Sequence, residues 1–245
     1  MMRASCKLAA KTLDMIYNFV EPGISTDRLD SLCHEFIHDH GAIPATLGYR
    51  GYPKSSCISI NHVVCHGIPN SKRLKNGDIL NIDVTCILNG WHGDTSRMFV
   101  AGEASIKAKR LIDITHKALF KGINIVKPGN HFGDIGNEIQ TFVETNNMSV
   151  VRDFCGHGLG ETFHSSPNVL HYGKKGTGPM FEEGMFFTIE PMVNLGKPDT
   201  KVLSDNWTAV TKDKSLSAQF EHSIGVTKDG CEIFTKSPLG LFYNP

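Results

Sequence analysis

Asn89-Gly90 divides the stretch from Gly77 to Val100 into two strand-like arms and leaves the chain little choice there. Asn-Gly supplies the two left-handed residues of a type I′ turn, so it predicts a two-residue hairpin of fixed register. Counting back from the turn, Leu88 faces Trp91, Thr85 faces Asp94 and Asp83 faces Ser96. Side chains two apart on a strand share a face, so Asp83, Thr85, Asp94 and Ser96 point one way and Arg97 the other. Asp83 and Asp94 are then diagonal neighbours across the hairpin. Two carboxylates this close, flanked by Ile82, Val84 and Ile87, repel each other and are costly to bury without a cation. Either this face meets water, as one face of an antiparallel sheet commonly does, or positive charge is brought to it.

Helices are expected on both sides of the hairpin. Ala9, Leu13, Ile16 and Val20 form one stripe over about Lys7 to Val20, ended by Pro22-Gly23. Ser25-Thr26-Asp27 offers N-cap oxygens for a second helix carrying Leu29, Leu32, Phe36 and Ile37, closed by Gly41. A matching pair follows, over 106–125 and along Ile135, Ile139, Phe142 and Val143. A shift of 106 positions lays Val20-x-Pro22-Gly23 on Val126-x-Pro128-Gly129, Leu29 on Ile135, Phe36 on Phe142 and Ile37 on Val143. Helix pairs broken by Pro-Gly look alike for generic reasons, or the chain is a duplicated half-domain. The second reading gives one domain over 1–245, built of halves of about 1–103 and 104–245, with a site where the halves meet.

If cations neutralise the hairpin carboxylates, further ligands must lie elsewhere. His157 sits among glycines in Phe154-Cys155-Gly156-His157-Gly158, where backbone can approach a ligand closely, and His164 follows seven residues on. Phe186 to Ile189 reads as an apolar strand that ends in Glu190 and Pro191, the proline barring a normal ladder bond. Ser217 to Val226 reads as one strand with Gln219 and Glu221 on one face and Phe220, His222 and Ile224 on the other. Taken together these candidates make five oxygen or nitrogen donors, a set suited to two divalent ions about 3.5–4 Å apart. There is no H-E-x-x-H segment to support a single helix-borne zinc site.

Composition narrows the classes of partner. Lys and Arg total 25 against 25 Asp and Glu, so the basic excess of a nucleic-acid backbone binder is missing. No apolar run approaches the roughly 18 residues that span a bilayer, and the first ten residues do not read as a signal peptide. Seven cysteines without a C-x-x-C pair argue against a disulfide framework and for a reducing compartment, the cytoplasm.

These residues carry a resemblance. Gly48-Tyr49-Arg50-Gly51-Tyr52-Pro53-Lys54-Ser55, Ser59-Ile60-Asn61, Val64-Cys65-His66-Gly67-Ile68-Pro69, Asn81-Ile82-Asp83-Val84, His92-Gly93-Asp94-Thr95-Ser96, Gly156-His157-Gly158, Glu190-Pro191 and Ser217-Ala218-Gln219-Phe220-Glu221-His222 follow one another along nearly the whole chain. In that order they resemble the type I methionine aminopeptidases, in the short form without an N-terminal zinc-finger extension. The resemblance implies an α+β fold, the pseudo-twofold "pita-bread" arrangement of an antiparallel curved sheet covered by two helix pairs. It also implies removal of the initiator methionine from nascent polypeptides by a metal-bridging hydroxide. Two divalent ions, of cobalt, manganese, iron, zinc or nickel, would be bridged by Asp94 and Glu221, with Asp83 completing one and His157 with Glu190 the other. Glu190 would shuttle a proton to the leaving amine, and His66 and His164 would hydrogen-bond the substrate. Tyr49, Tyr52, Cys57, Phe163 and Trp207 would line the methionine pocket, with ordinary core packing as the alternative for Tyr52 and Trp207.

The implied setting is cytoplasmic and monomeric, on nascent chains at the ribosome, with no nucleic acid or membrane bound. Three features depart from the family's pattern: Ser165-Ser166 replace two acidic residues, Thr46 stands near the pocket mouth, and about ten leading residues are missing. Cys65 is expected as a small buried filler. The competing readings on the same fold are an X-prolyl aminopeptidase or prolidase, which generally has an extra N-terminal domain, and a binding module without catalysis.

Overall fold

The structure, a computed structural model, describes residues 1–241; the last four residues of the expected domain lie outside the described residues. Its first half opens with α1 (Met2–Ile16) and α2 (Thr26–Asp39). Ser25 caps α2, its Oγ accepting the Arg28 N–H at 3.2 Å. The first helix differs from expectation at both ends. Its buried stripe already includes Met2 and Cys6, which extend Ala9, Leu13 and Ile16 backwards at helical spacing. It stops at Ile16, where the chain tightens into the 3₁₀ turn Tyr17–Phe19, and Val20 is already extended.

The strands β1 (Ile43–Pro44), β2 (Cys57–Ile60), β3 (Val63–Cys65), β4 (Ile79–Leu88) and β5 (Trp91–Val100) follow. The hairpin β4–β5 has the expected register, with Leu88 opposite Trp91, Thr85 opposite Asp94 and Asp83 opposite Ser96. Asn89 (φ 53°) and Gly90 (φ 80°) both take the left-handed conformation that the turn demands. The hairpin is a wall shared by two cores. Leu80, Ile82 and Val84 pack with Leu13, Ile16, Leu29 and Ile37 of the first helix pair. Ile79 and Met98, on the carboxylate-bearing face, pack instead into the second half.

That half contains α3 (Ile106–Ile123), capped by Ser105, and α4 (Phe132–Thr145), whose Asp134 accepts the His131 N–H at 2.7 Å. Here α3 ends two residues before the expected 125. The second and fourth helices are 14 residues each and start at Thr26 and Phe132, an offset of 106 positions. Then come β6 (Ser149–Val150), β7 (Gly156–Gly158), β8 (Ser165–Val169), β9 (Phe186–Ile189) and β10 (Met192–Asn194). The chain finishes with β11 (Thr200–Val202), β12 (Ala209–Thr211), β13 (Ser217–Gln219), β14 (His222–Val226) and β15 (Cys231–Ile233). The ladders are antiparallel and fall into four sheets: β1-β4-β2 with β5 also on β4, β13-β10-β6, β11-β12-β3, and β15-β14-β9-β7-β8.

The expected single strand over Ser217 to Val226 is interrupted. Its first part, β13, pairs with β10, and its second, β14, pairs with β9. Both partner strands break at the same level, at Glu190-Pro191 and at Phe220-Glu221. Pro191 cannot donate to a ladder. Glu221 turns its backbone to the hairpin, its N–H donating to the Ser96 carbonyl (3.1 Å) and its carbonyl accepting from Thr95 Oγ1 (2.8 Å). The two glutamates therefore stand at a seam between sheets and face the hairpin carboxylates.

On the far side of the hairpin, Arg97 points away from the seam as its phase requires. It forms a buried ion pair with Asp14 of α1 (2.9 Å), and Asp14 also accepts from Ser237 Oγ and the Leu239 N–H. Removing one member of such a pair strands a buried charge, so Asp14→Ala is expected to lower the unfolding free energy by about 3–5 kcal/mol. Urea denaturation measures this, and a loss below about 1 kcal/mol, the value of an exposed pair, would contradict it.

Candidate metal centre

Asp83 of β4, Asp94 of β5, His157 of β7, Glu190 and Glu221 come together in the wall of one cavity of about 370 Å³. The exposed-face alternative for the hairpin is excluded, because Thr85, Asp94 and Ser96 are each at most 4% exposed. Asp94, His157 and Glu221 each offer a ligand-type atom within 4.8 Å of the others. His157 Nε2 lies 3.6 Å from Asp94 Oδ2 and 3.7 Å from Glu190 Oε1.

Neighbours fix each group. Thr85 Oγ1 donates to Asp94 Oδ1 (2.7 Å), Thr188 Oγ1 to Glu190 Oε1 (2.7 Å) and Gln219 Nε2 to Glu190 Oε2 (3.2 Å). His157 Nδ1 meets the Gly158 carbonyl (3.1 Å), which leaves Nε2 facing the cleft. The glycines beside it are needed for close approach. A Cβ on Gly156 would collide with the Thr188 carbonyl oxygen, and one on Gly158 with that of Ser166. Asp83 is treated differently: its buried Oδ1 has no hydrogen-bond partner.

Four carboxyl groups and one imidazole share this space. Burial, reinforced by the charges of Asp94 and Glu190, pushes the carboxyls of Asp83 and Glu221 well above the usual carboxylate range. Burial also raises Glu190 to about 7, against the opposing influence of His157. Burial acts to lower His157, but the Asp94 and Glu190 carboxylates more than reverse this and bring it to about 9. Among the described residues lining the cavity, Arg50 is the one Lys or Arg, and it makes no ion pair with these acids. An orphaned buried carboxylate oxygen in a set of oxygen and nitrogen donors fits divalent metal.

The other expected site residues line the same cavity. His164 Nδ1 lies 2.9 Å from the Tyr49 hydroxyl, and its ring centroid is 4.1 Å from that of His157. His164 is lowered to about 4, chiefly by burial and then by His157, and burial lowers His66 as well. Both are neutral near pH 7. Tyr52 and Trp207 pack edge to face at 5.1 Å, the rings of Tyr49 and Phe163 are tilted against each other at 4.8 Å, and Cys57 completes this side. Tyr52 also packs as a core residue, its buried hydroxyl directed at the carbonyls of Ser56 and Gly67. Thr46 and the buried Cys65 line the cavity, and Ser165 and Ser166 are exposed.

The sequence reading missed several participants. Phe154, Cys155 and Met192 also line the cavity, although Phe154 and Cys155 lie directly before the glycine-flanked histidine. His171 accepts the Glu190 N–H at 3.0 Å and so helps to hold the strand break, a role that nothing around Leu170-His171-Tyr172 signals.

A family model, metallopeptidase family M24, matches residues 1–228. The chain belongs to this family. M24 membership brings divalent metal to a cleft whose donors already fit it. The chain is 62% identical to a methionine aminopeptidase of Rickettsia prowazekii (strain Madrid E), an alignment that covers 100% of this chain and 95% of the relative. The crystal structure of methionine aminopeptidase from Rickettsia prowazekii superposes with a TM-score of 0.95, covering 96% of this chain and 95% of that one. The pita-bread fold implied by the motifs is thus the fold of this M24 chain. A prolidase from Pyrococcus furiosus shares the fold at 20% identity and a TM-score of 0.74; this chain covers 96% of itself but 62% of that protein.

Metal loading must displace protons, because His157 has to be neutral and the raised carboxyls ionised to act as donors. Binding of manganese is therefore expected to release at least one proton at pH 7, and to weaken as the pH falls. Titration calorimetry in buffers of different ionisation enthalpy reads this directly. Heats independent of buffer would count against the protonated cleft.

Proposed function

We propose that this chain is a methionine aminopeptidase that removes the initiator methionine from nascent polypeptides, acting as a single catalytic domain of two related halves. The observation that carries this reading is the five-donor cluster lying directly against an aromatic and sulfur-lined pocket, in an M24 chain 62% identical to a methionine aminopeptidase.

In this reading Asp83, Asp94, His157, Glu190 and Glu221 would hold two divalent ions. When bound, the ions polarise the scissile carbonyl and make water acidic enough to react near neutral pH. Glu190, its carboxylate ionised when metal is held, would take the proton from the attacking water and return it to the leaving amine. With the Tyr49 hydroxyl donating to His164 Nδ1, the ring would carry its proton on Nε2. His164 can then donate to the oxygen on which charge develops, and His66 faces the same space as a second neutral imidazole. Tyr52, Cys57, Phe163 and Trp207 surround the methionine side chain, whose flexible thioether suits such a wall. In this reading the protein works as a monomer on ribosomal nascent chains in the cytoplasm.

The test is release of free methionine from Met-Ala-Ser after loading with manganese, iron, cobalt, zinc or nickel in turn. Activity is expected with at least one metal and none after chelation; methionine release by the chelated protein would overturn the reading. Glu221→Ala is expected to lose both activity and bound metal. His164→Ala should keep its metal while turnover falls about 10²–10³-fold, as for loss of one donor to a developing oxyanion. Metal loss in the His164 variant would instead make that residue a ligand.

A further inference from the structure

The mouth of the cleft carries a cation that the reaction does not use. Arg50 lies between Gly48 and Gly51 in a tight turn held by the Gly48 N–H on the Tyr52 carbonyl (2.8 Å) and the Gly51 N–H on the Gly48 carbonyl (3.1 Å). Its backbone is left-handed, at φ 48° and ψ 28°, a conformation that disfavours a residue bearing a side chain. The turn holds an arginine there all the same. The side chain is exposed and has no hydrogen bond or ion pair with any described residue, and its guanidinium carbon sits 5.4 Å from the centre of the Tyr49 ring. Tyr49 in turn stacks at 5.1 Å on His164, beside the scissile bond in the reading above.

No acid among the described residues lining the cavity forms an ion pair with Arg50. The four carboxylates of the cluster are balanced by the cations they hold. Asp153, the remaining acid among the described lining residues, accepts from Thr200 Oγ1. Beyond His164 the chain continues as exposed Ser165 and Ser166, neither of them acidic. The two ring contacts put the guanidinium carbon at most about 10.5 Å from the His164 imidazole, the reach of about three extended residues.

We infer that Arg50 is a specificity-determining residue, selecting polypeptides with an acidic side chain at the third or fourth position from the N-terminus. This rests on the aminopeptidase reading and adds a substrate class to it. An acidic group there meets a preplaced guanidinium, whereas a lysine meets like charge.

The experiment compares kcat/KM for Met-Ala-Glu-Glu-Gly, Met-Ala-Gln-Gln-Gly and Met-Ala-Lys-Lys-Gly, using the metal-loaded full chain and Arg50→Gln. At low salt the wild type is expected to favour the glutamate over the lysine peptide by at least about threefold, with the glutamine peptide between. The ratio should shrink in 0.5 M salt, within roughly one Debye length of screening, and fall close to one in Arg50→Gln. A wild-type ratio near one, or a ratio that survives unchanged in Arg50→Gln, overturns the role of Arg50 while leaving the peptidase intact. Failure to cleave even the glutamine peptide strikes at the aminopeptidase reading itself.

Discussion

Mutual repulsion among four carboxyl groups in a buried cleft is the constraint around which this fold is arranged. Asp83 and Asp94 are brought together by hairpin register, Glu190 and Glu221 by paired strand breaks, and His157 closes the ring. In such surroundings unit charges at contact distance interact far more strongly than in water, and each carboxylate would otherwise have to be protonated or released to solvent. The scaffold resists that release. One hairpin face is clamped by the first helix pair and by the buried pair of Arg97 and Asp14, and the other abuts the second core. The cost of gathering the acids is thus met by rigid elements on both sides, and divalent cations turn the repulsion into attraction.

Chemistry and recognition are built from the same few segments. Tyr49 stacks on His164, holds its Nδ1 and packs on Phe163 in the pocket wall. Such sharing ties the orientation of a hydrogen-bond donor to the presence of a well-packed pocket. The neighbouring Arg50 lies in the same turn, its guanidinium against the Tyr49 ring.

Local signals survived folding well. Asn89-Gly90 fixed which hairpin residues share a face, because a two-residue turn allows no slippage. The N-cap at Ser25 and the offset between the second and fourth helices were also legible. The strand breaks were not. Alternation over Ser217 to Val226 is unbroken, and only the partner strand, with Pro191 at the same level, explains why the ladder is exchanged there. The start of the first helix was legible but not read, since Met2 and Cys6 continue the spacing of Ala9, Leu13 and Ile16. His171 gains its role from one backbone N–H, a contact that no local pattern encodes. The motifs that resemble type I methionine aminopeptidases single out five residues as donors, and the fold gathers all five in the wall of one cavity.

The central claim, that these acids are gathered to hold a pair of dications, is tested most directly by anomalous diffraction from crystals of the manganese-loaded protein. Two peaks about 3.5–4 Å apart are expected between Asp94 and Glu221, one beside Asp83 and the other beside His157 and Glu190. An empty cleft, or acids neutralised there by a lysine or arginine side chain, would contradict it.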